Sequence, residues 1–166
     1  MVTATQPPPP TIAAVPTSTP EGGAPAGTPQ VEGIVLFDLN QKPINLTDYK
    51  GAIVFLNFWA TWCPPCREEM PSMQKLYNRY KNEPFHIIAV SLKESPTQVK
   101  AFFKKKRLSF TVLIDPKGDV GKKFGINSIP TTFILDKNGE VIGKAIGPRD
   151  WGSKRSHALF QHLIEI

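Results

Sequence analysis

Apolar positions along this chain recur in two rhythms, one of period two or unbroken and one of helical spacing, and the switches between them predict a succession of strands and helices. Ile34-Val35-Leu36-Phe37-Asp38-Leu39 and Pro43-Ile44-Asn45-Leu46 read as short extended pieces, and Asn40-Gln41-Lys42 between them predicts a hairpin. Asp48-Tyr49-Lys50-Gly51 turns the chain into Ala52-Ile53-Val54-Phe55-Leu56-Asn57-Phe58-Trp59-Ala60, whose length and β-branched content suit a buried strand. From Pro64 to about Asn82 the residues Met70, Met73, Leu76, Tyr77 and Tyr80 recur at helical spacing, with Pro71 placed to kink the helix. A strand over 85–91 follows. Next comes a helix from Pro96 to Arg107, with Val99, Phe102 and Phe103 on one side.

The second half repeats the alternation. Thr111-Val112-Leu113-Ile114 predicts a strand, Asp115-Pro116-Lys117-Gly118 a turn, and Asp119 to Phe124 a short helix. Thr131-Thr132-Phe133-Ile134-Leu135 is the next strand, and Asp136-Lys137-Asn138-Gly139 turns it back into Val141 to Ala145. Ser153 is positioned to cap a last helix, which Ala158, Leu159, Leu163 and Ile164 are expected to dock on the sheet. Strands alternating with helices and closing on a hairpin predict an α/β fold with a central mixed sheet flanked by helices.

Composition changes this picture mainly at the front. Residues 1–32 are rich in Pro, Thr and Ala, and up to residue 30 Glu21 is the only charged side chain. With no apolar periodicity to offset its ordering entropy, this segment is expected to be a disordered tether ahead of a domain over 33–166. No run of eighteen apolar residues is present, and Met1 to Gln6 lacks the basic start and apolar stretch of a signal peptide. A tether of this kind suits a spacer from a membrane, so an anchor or signal is expected beyond these 166 residues. The alternative is a chain that simply begins with a floppy segment.

The formal net charge of +6 includes the run Lys104-Lys105-Lys106-Arg107. That run is short, lacks interleaved aromatics and follows an amphipathic segment, so a solvated helix end is expected rather than a nucleic-acid site.

The candidate chemistry lies in the only two cysteines, in Trp62-Cys63-Pro64-Pro65-Cys66. Strand, tight turn, Cys-x-x-Cys and helix is the arrangement of a thiol–disulfide exchange site. The first cysteine sits where unpaired backbone N–H groups and the positive helix end favour a thiolate; the second is one turn away, within disulfide reach. A structural zinc site normally needs four protein ligands, and His86, His157 and His162 are poorly spaced to complete one, so no metal or cofactor is expected. Pro64 and Pro65 fit a first helical turn, where their missing N–H groups cost no helical bond. Glu69 is nearly one turn beyond Cys66, placed to take its proton, although a glutamate near a helix start also suits the dipole. Trp62 is placed to offer a flat contact surface and Trp59 to pack, although either tryptophan can be core.

Two blocks give the chain a resemblance. Phe58-Trp59-Ala60-Thr61-Trp62-Cys63-Pro64-Pro65-Cys66-Arg67-Glu68-Glu69-Met70-Pro71 and Gly125-Ile126-Asn127-Ser128-Ile129-Pro130-Thr131-Thr132-Phe133-Ile134-Leu135-Asp136 resemble the thioredoxin superfamily. With a helix and strand inserted between Pro96 and Asp115, the chain looks like the extracytoplasmic reductase branch of TlpA, ResA and the cytochrome c maturation proteins. The resemblance implies a thioredoxin-like fold and an extracytoplasmic location. It implies Pro130 as a cis-proline facing the dithiol, where an ordinary X–Pro bond would be trans, and a substrate segment pairing with the backbone of Ile129. The branch carries an acidic residue at the position of Glu69. Asn57 departs from ordinary thioredoxin, which has a buried aspartate there, and an amide cannot accept that proton.

The expected activity is protein-disulfide reduction, by a monomer, in apocytochrome c or a copper-centre assembly protein. Cys63 is the expected nucleophile and Cys66 the resolving thiol, with Trp62, Pro64, Pro65 and Ile129 touching the substrate. With no nucleotide or flavin motif present, electrons must come from another dithiol protein, expected to be membrane-bound. An oxidant or isomerase, and a protein that handles Cu(I) through the two thiolates, are the alternatives. A peroxidase fits less well, because Ala60 stands where a Thr-x-x-Cys arrangement needs threonine.

Overall fold

A computed structural model describes residues 28–166. The elements follow the order β1 (Val35–Phe37), β2 (Pro43–Asn45), a 3-10 turn (Leu46–Tyr49), β3 (Ile53–Trp59), α1 (Pro64–Tyr80), β4 (Phe85–Leu92), α2 (Pro96–Lys106), β5 (Thr111–Asp115), α3 (Asp119–Lys123), β6 (Thr131–Leu135), β7 (Val141–Ile146) and α4 (Lys154–Glu165). They form one seven-stranded sheet in the order β2-β1-β5-β4-β3-β6-β7. β3, β4 and β5 run parallel, while β6 is antiparallel to β3 and β7 to β6. This is the thioredoxin-like mixed sheet, with the β1–β2 hairpin added at one edge and the α2–β5 unit within.

The register of β3 explains the site. All seven of its residues are buried, because helices cover both faces. Side chains alternate across the sheet, so Ile53, Phe55 and Trp59 enter the core shared with α1, α2 and α4, whereas Val54, Leu56 and Phe58 enter the core under α3. The same alternation puts Asn57 on the α1 side, as the polar interruption in an apolar row. Ser91 of β4 carries the odd-numbered register of Phe85, Ile87 and Ala89 to that strand's end.

The hairpin, central strands and helices stand where the apolar pattern places them. α1 continues through Pro71 and ends at Tyr80. Leu46 opens a 3-10 turn instead of ending β2. The docking face of α4 is different from expectation: Phe160 and Ile164 are its buried residues, whereas Ala158 and Leu159 are exposed. Phe160 lies 5.8 Å from Phe55 and 5.4 Å from Phe85 between ring centroids, so the larger ring takes the sheet-facing position.

The expected tether falls, over residues 1–27, outside the described residues. At its far end Val31 is buried in the α3-side core, so the packed chain includes residue 31, ahead of the expected start at 33. Among the described residues no helix is long and apolar enough to cross a membrane.

Candidate active site

β3 delivers the chain to the cysteines at its carboxyl end, and α1 begins immediately after Cys63. Cys63 is the N-cap of α1, with extended backbone, and its Sγ accepts the backbone N–H of Cys66 at 3.4 Å. Pro64 and Pro65 occupy the first two helical positions and supply no N–H, so this contact uses the first donor the helix possesses. The thiolate of the reduced protein would meet that donor and the positive helix end together. Cys63 and Cys66 form a disulfide, with Cα atoms 5.3 Å apart. Cys63 is the more exposed of the two, Cys66 having no accessible surface.

The Ile129–Pro130 bond is cis, as the resemblance implied. It places the Ile129 carbonyl oxygen 3.8 Å from Cys63 Sγ, while the Pro130 carbonyl accepts the N–H of Gly147 at 2.8 Å. Trp62, Pro64 and Pro65 stand exposed around the sulfurs, and Ile129 is half-buried. Trp62 is 67% exposed, against 0% for Trp59, which packs between β3 and α2 near Phe102 and Phe103. Ile146 pairs across β6 and β7 with Thr131, the residue after the cis-proline, and is 62% exposed. Its sequence position, at the end of an ordinary strand, gave no reason to single it out.

Glu69 is buried behind Cys66 and held by three donors. Asn57 Nδ2 donates to Oε1 at 2.8 Å, while the Arg149 backbone N–H and the Trp151 indole N–H both donate to Oε2 at 3.1 Å. Burial raises the carboxyl above its ordinary range; the bonds from Trp151, the Arg149 backbone and Asn57, with the Arg149 charge, pull partly the other way. The Gly147–Trp151 segment after β7 supplies two of the three donors. Asn57 also donates to Thr132 Oγ1 at 3.0 Å.

A second buried carboxylate, Glu94, lies on the other side of the turn and escaped the sequence reading. It accepts the Thr61 backbone N–H at 2.7 Å, the Thr61 hydroxyl, and the Ser91 hydroxyl at 2.9 Å. Gln98 Nε2 reinforces it by donating to Thr61 Oγ1 at 3.1 Å. Nothing in local spacing joins residues 61 and 94; only the parallel pairing of β3 with β4 does so.

A disulfide at a helix N-terminus, at the carboxyl end of a central strand and against a cis-proline, defines a thioredoxin-fold thiol–disulfide oxidoreductase. Residues 26–144 match the AhpC/TSA family. The thiol-disulfide oxidoreductase ResA of Bacillus thuringiensis subsp. konkukian is 45% identical over 118 residues, covering 71% of this chain and 68% of that protein. ResA of Geobacillus thermodenitrificans is 45% identical over 132 residues, covering 80% of this chain and 73% of the relative. The crystal structure of a DsbE-type thiol:disulfide interchange protein from Chlorobium tepidum superposes with a TM-score of 0.70 at 31% identity, covering 83% of this chain and 95% of that one. The chain belongs to the AhpC/TSA family and, within the thioredoxin superfamily, to the extracytoplasmic ResA/DsbE-like thiol–disulfide oxidoreductases. It is an enzyme whose Cys63–Cys66 couple exchanges with a disulfide-bearing substrate and with a redox partner.

Proposed function

We propose that the Cys63–Cys66 couple works as a reductase, with apocytochrome c or a copper-centre assembly protein as substrate and a membrane-bound dithiol protein as electron donor. The Cys63 thiolate attacks a substrate sulfur, forming a mixed disulfide and releasing the other substrate sulfur as thiolate. Glu69 takes the proton of Cys66, and the Cys66 thiolate attacks Cys63 Sγ. That closes the Cys63–Cys66 disulfide and frees the substrate dithiol. The donor protein then reduces the pair by the same two steps.

Pro130 lacks an N–H that would compete for the substrate backbone, and Ile129 offers its main chain beside the sulfur. Trp62, Pro64 and Pro65 supply the apolar contact around it. The observation that carries this reading is the asymmetry of the pair. Cys63 sits at the helix N-terminus against an exposed apolar rim, while Cys66 is enclosed with a buried carboxylate one turn on.

The test is the reduction potential of the couple, measured by equilibration with glutathione and dithiothreitol buffers. A value near or below about −220 mV supports electron delivery, and one near −120 mV makes the protein an oxidant or isomerase. Turnover of an oxidised Cys-x-x-Cys-His peptide separates the two substrates, since that motif is the haem-attachment site. Tight stoichiometric Cu(I) transfer without turnover would favour the copper-handling alternative.

A further inference from the structure

The two buried tryptophans of the α1-side core differ in one respect. The indole N–H of Trp59 has no hydrogen-bond partner among the described residues, whereas that of Trp151 is bonded to a carboxylate. A buried indole adds to a phenyl ring a fused second ring and an N–H, and of these only the N–H can act on a carboxylate by hydrogen bonding.

The placement of Trp151 is fixed from several sides. Its ring meets Phe55 of β3 edge-on at 4.7 Å and Phe160 of α4 at 6.3 Å, and only 5% of the residue is exposed. Its backbone N–H donates to Ser72 Oγ at 3.0 Å, and Ser72 Oγ donates to the Glu69 carbonyl oxygen at 2.7 Å. Ser72 Oγ also lies 3.3 Å from the Arg149 carbonyl oxygen. The loop is thus fastened to α1 at the backbone of Glu69 and, through two N–H groups, at its carboxylate. Beside this junction is an open cleft of about 380 Å³ lined by Glu68, Pro71, Ser72, Lys75, Pro148 and Asp150, with Glu69 in its wall. The cleft is open to solvent, and Glu69, itself buried, is one of its lining residues.

We propose that Trp151 is the positioning residue for Glu69: its indole N–H sets how strongly the carboxylate holds the proton taken from Cys66, and the cleft between α1 and the 147–152 loop is the proton's way out. The proposal rests on the reading of Glu69 as the proton acceptor. Glu69 takes one proton from the Cys66 thiol, giving carboxylic acid and thiolate, and later passes it to water in the cleft. Hydrogen bonds to the ionised form favour that form, so the indole N–H keeps Glu69 available as a base despite its burial. The charged groups around the carboxyl are Glu68 and Lys75 from α1 and Arg149 and Asp150 from the loop. β3 and β6 contribute the neutral Asn57 and Thr132.

The test is Trp151→Phe, which keeps an aromatic ring against Phe55 and Phe160 and removes the donor. The Glu69 side-chain carboxyl is titrated by carbon NMR in the oxidised protein, where the cysteines do not ionise. Loss of the donor is expected to raise its proton affinity about tenfold, one pH unit. The acid limb of the pH–rate profile for substrate reduction should move by the same amount in the same direction. An unmoved Glu69 titration in a folded variant overturns the proposal, whatever the rates do. A moved titration with an unmoved profile leaves the tuning intact and instead defeats the reading of Glu69 as acceptor. Ser72→Ala, which frees the Trp151 backbone from α1, gives a second titration with the indole still present. It should raise the proton affinity by a smaller factor, and an unmoved value there, should Trp151→Phe not fold, is equally decisive against the proposal.

Discussion

Glu69 and Glu94 are both buried carboxylates at the dithiol turn, yet they are held by different kinds of donor. Glu94 takes an N–H and a hydroxyl from Thr61, two residues before Cys63, and a hydroxyl from Ser91 at the end of β4. Its bonds fasten the outgoing chain of β3 to the start of the α2 unit. Glu69 takes N–H donors only, from a side chain of β3 and from the loop after β7. One carboxylate ties two adjacent chain segments together ahead of Cys63. The other lies one turn beyond Cys66, at the wall of a cleft, with its carboxyl pushed above the ordinary range by burial. Two carboxylates alike in residue type and burial thus differ in the origin of their donors, and only Glu69 lines the solvent-open cleft.

The largest effect expected from this contrast is on turnover in Glu69→Gln. A well-placed general base contributes about 10²–10⁴-fold, so disulfide reduction near neutral pH should slow by roughly 10² or more in stopped-flow assays. The variant should still fold. Its amide oxygen can accept from Trp151 and Arg149, and its NH₂ can meet Asn57 Oδ1, which has no partner among the described residues, once the Asn57 amide turns over. Unchanged turnover in Glu69→Gln would erase the distinction between the two carboxylates.

Glu94→Ala should behave in the opposite way. It leaves the Thr61 N–H and two hydroxyls without their buried acceptor, a loss of about 2–4 kcal/mol visible in urea unfolding. Its pH–rate profile should keep the wild-type shape. A displaced acid limb would show that Glu94 also takes part in proton transfer.

Glu69 carries a pH signature in stability as well. Its pKa in the folded protein lies above the unfolded value, so the protonated form is the one folding favours. That contribution is complete below the ordinary glutamate range near pH 4.3 and is lost as pH rises through the elevated folded value. The stability of wild type relative to Glu69→Gln should therefore decline across that window and level off above it. Parallel urea titrations of the two proteins would expose a difference of the wrong sign.

Much of this architecture is legible in the sequence because single residues decide it locally. The apolar run through β3, Asp136–Gly139 at the β6–β7 turn and prolines at the first turns of α1 and α2 each report their own conformation. Cys63 and Cys66 are legible for the same reason: their chemistry lies in their spacing. Glu94 is not, because its partner Thr61 is 33 residues away and meets it only after β3 and β4 pair. The Trp151–Glu69 bond spans 82 residues and is equally silent. On α4, Leu159 and Phe160 are neighbours of similar hydropathy, and only the room beneath Phe55 and Phe85 selects which one turns inward.

The smallest effects belong to the rim, where the contrast is between contact and support. Trp62 and Ile146 are both more than 60% exposed, so neither contributes much to the folded state. Trp62→Ala and Ile146→Ala should each leave stability within about 0.5 kcal/mol of wild type. An exposed apolar side chain that meets substrate is buried only in the complex, and its loss there is worth on the order of 1 kcal/mol. Each variant should accordingly raise KM for an oxidised protein substrate severalfold with kcat little changed. The reduction of a small disulfide such as oxidised glutathione, which buries less apolar surface in its complex than a protein does, should be altered less. Equal losses on the small and the protein substrate would place these residues with the chemistry of Cys63 instead of with recognition, and would move the boundary between rim and reacting centre outward by one side chain.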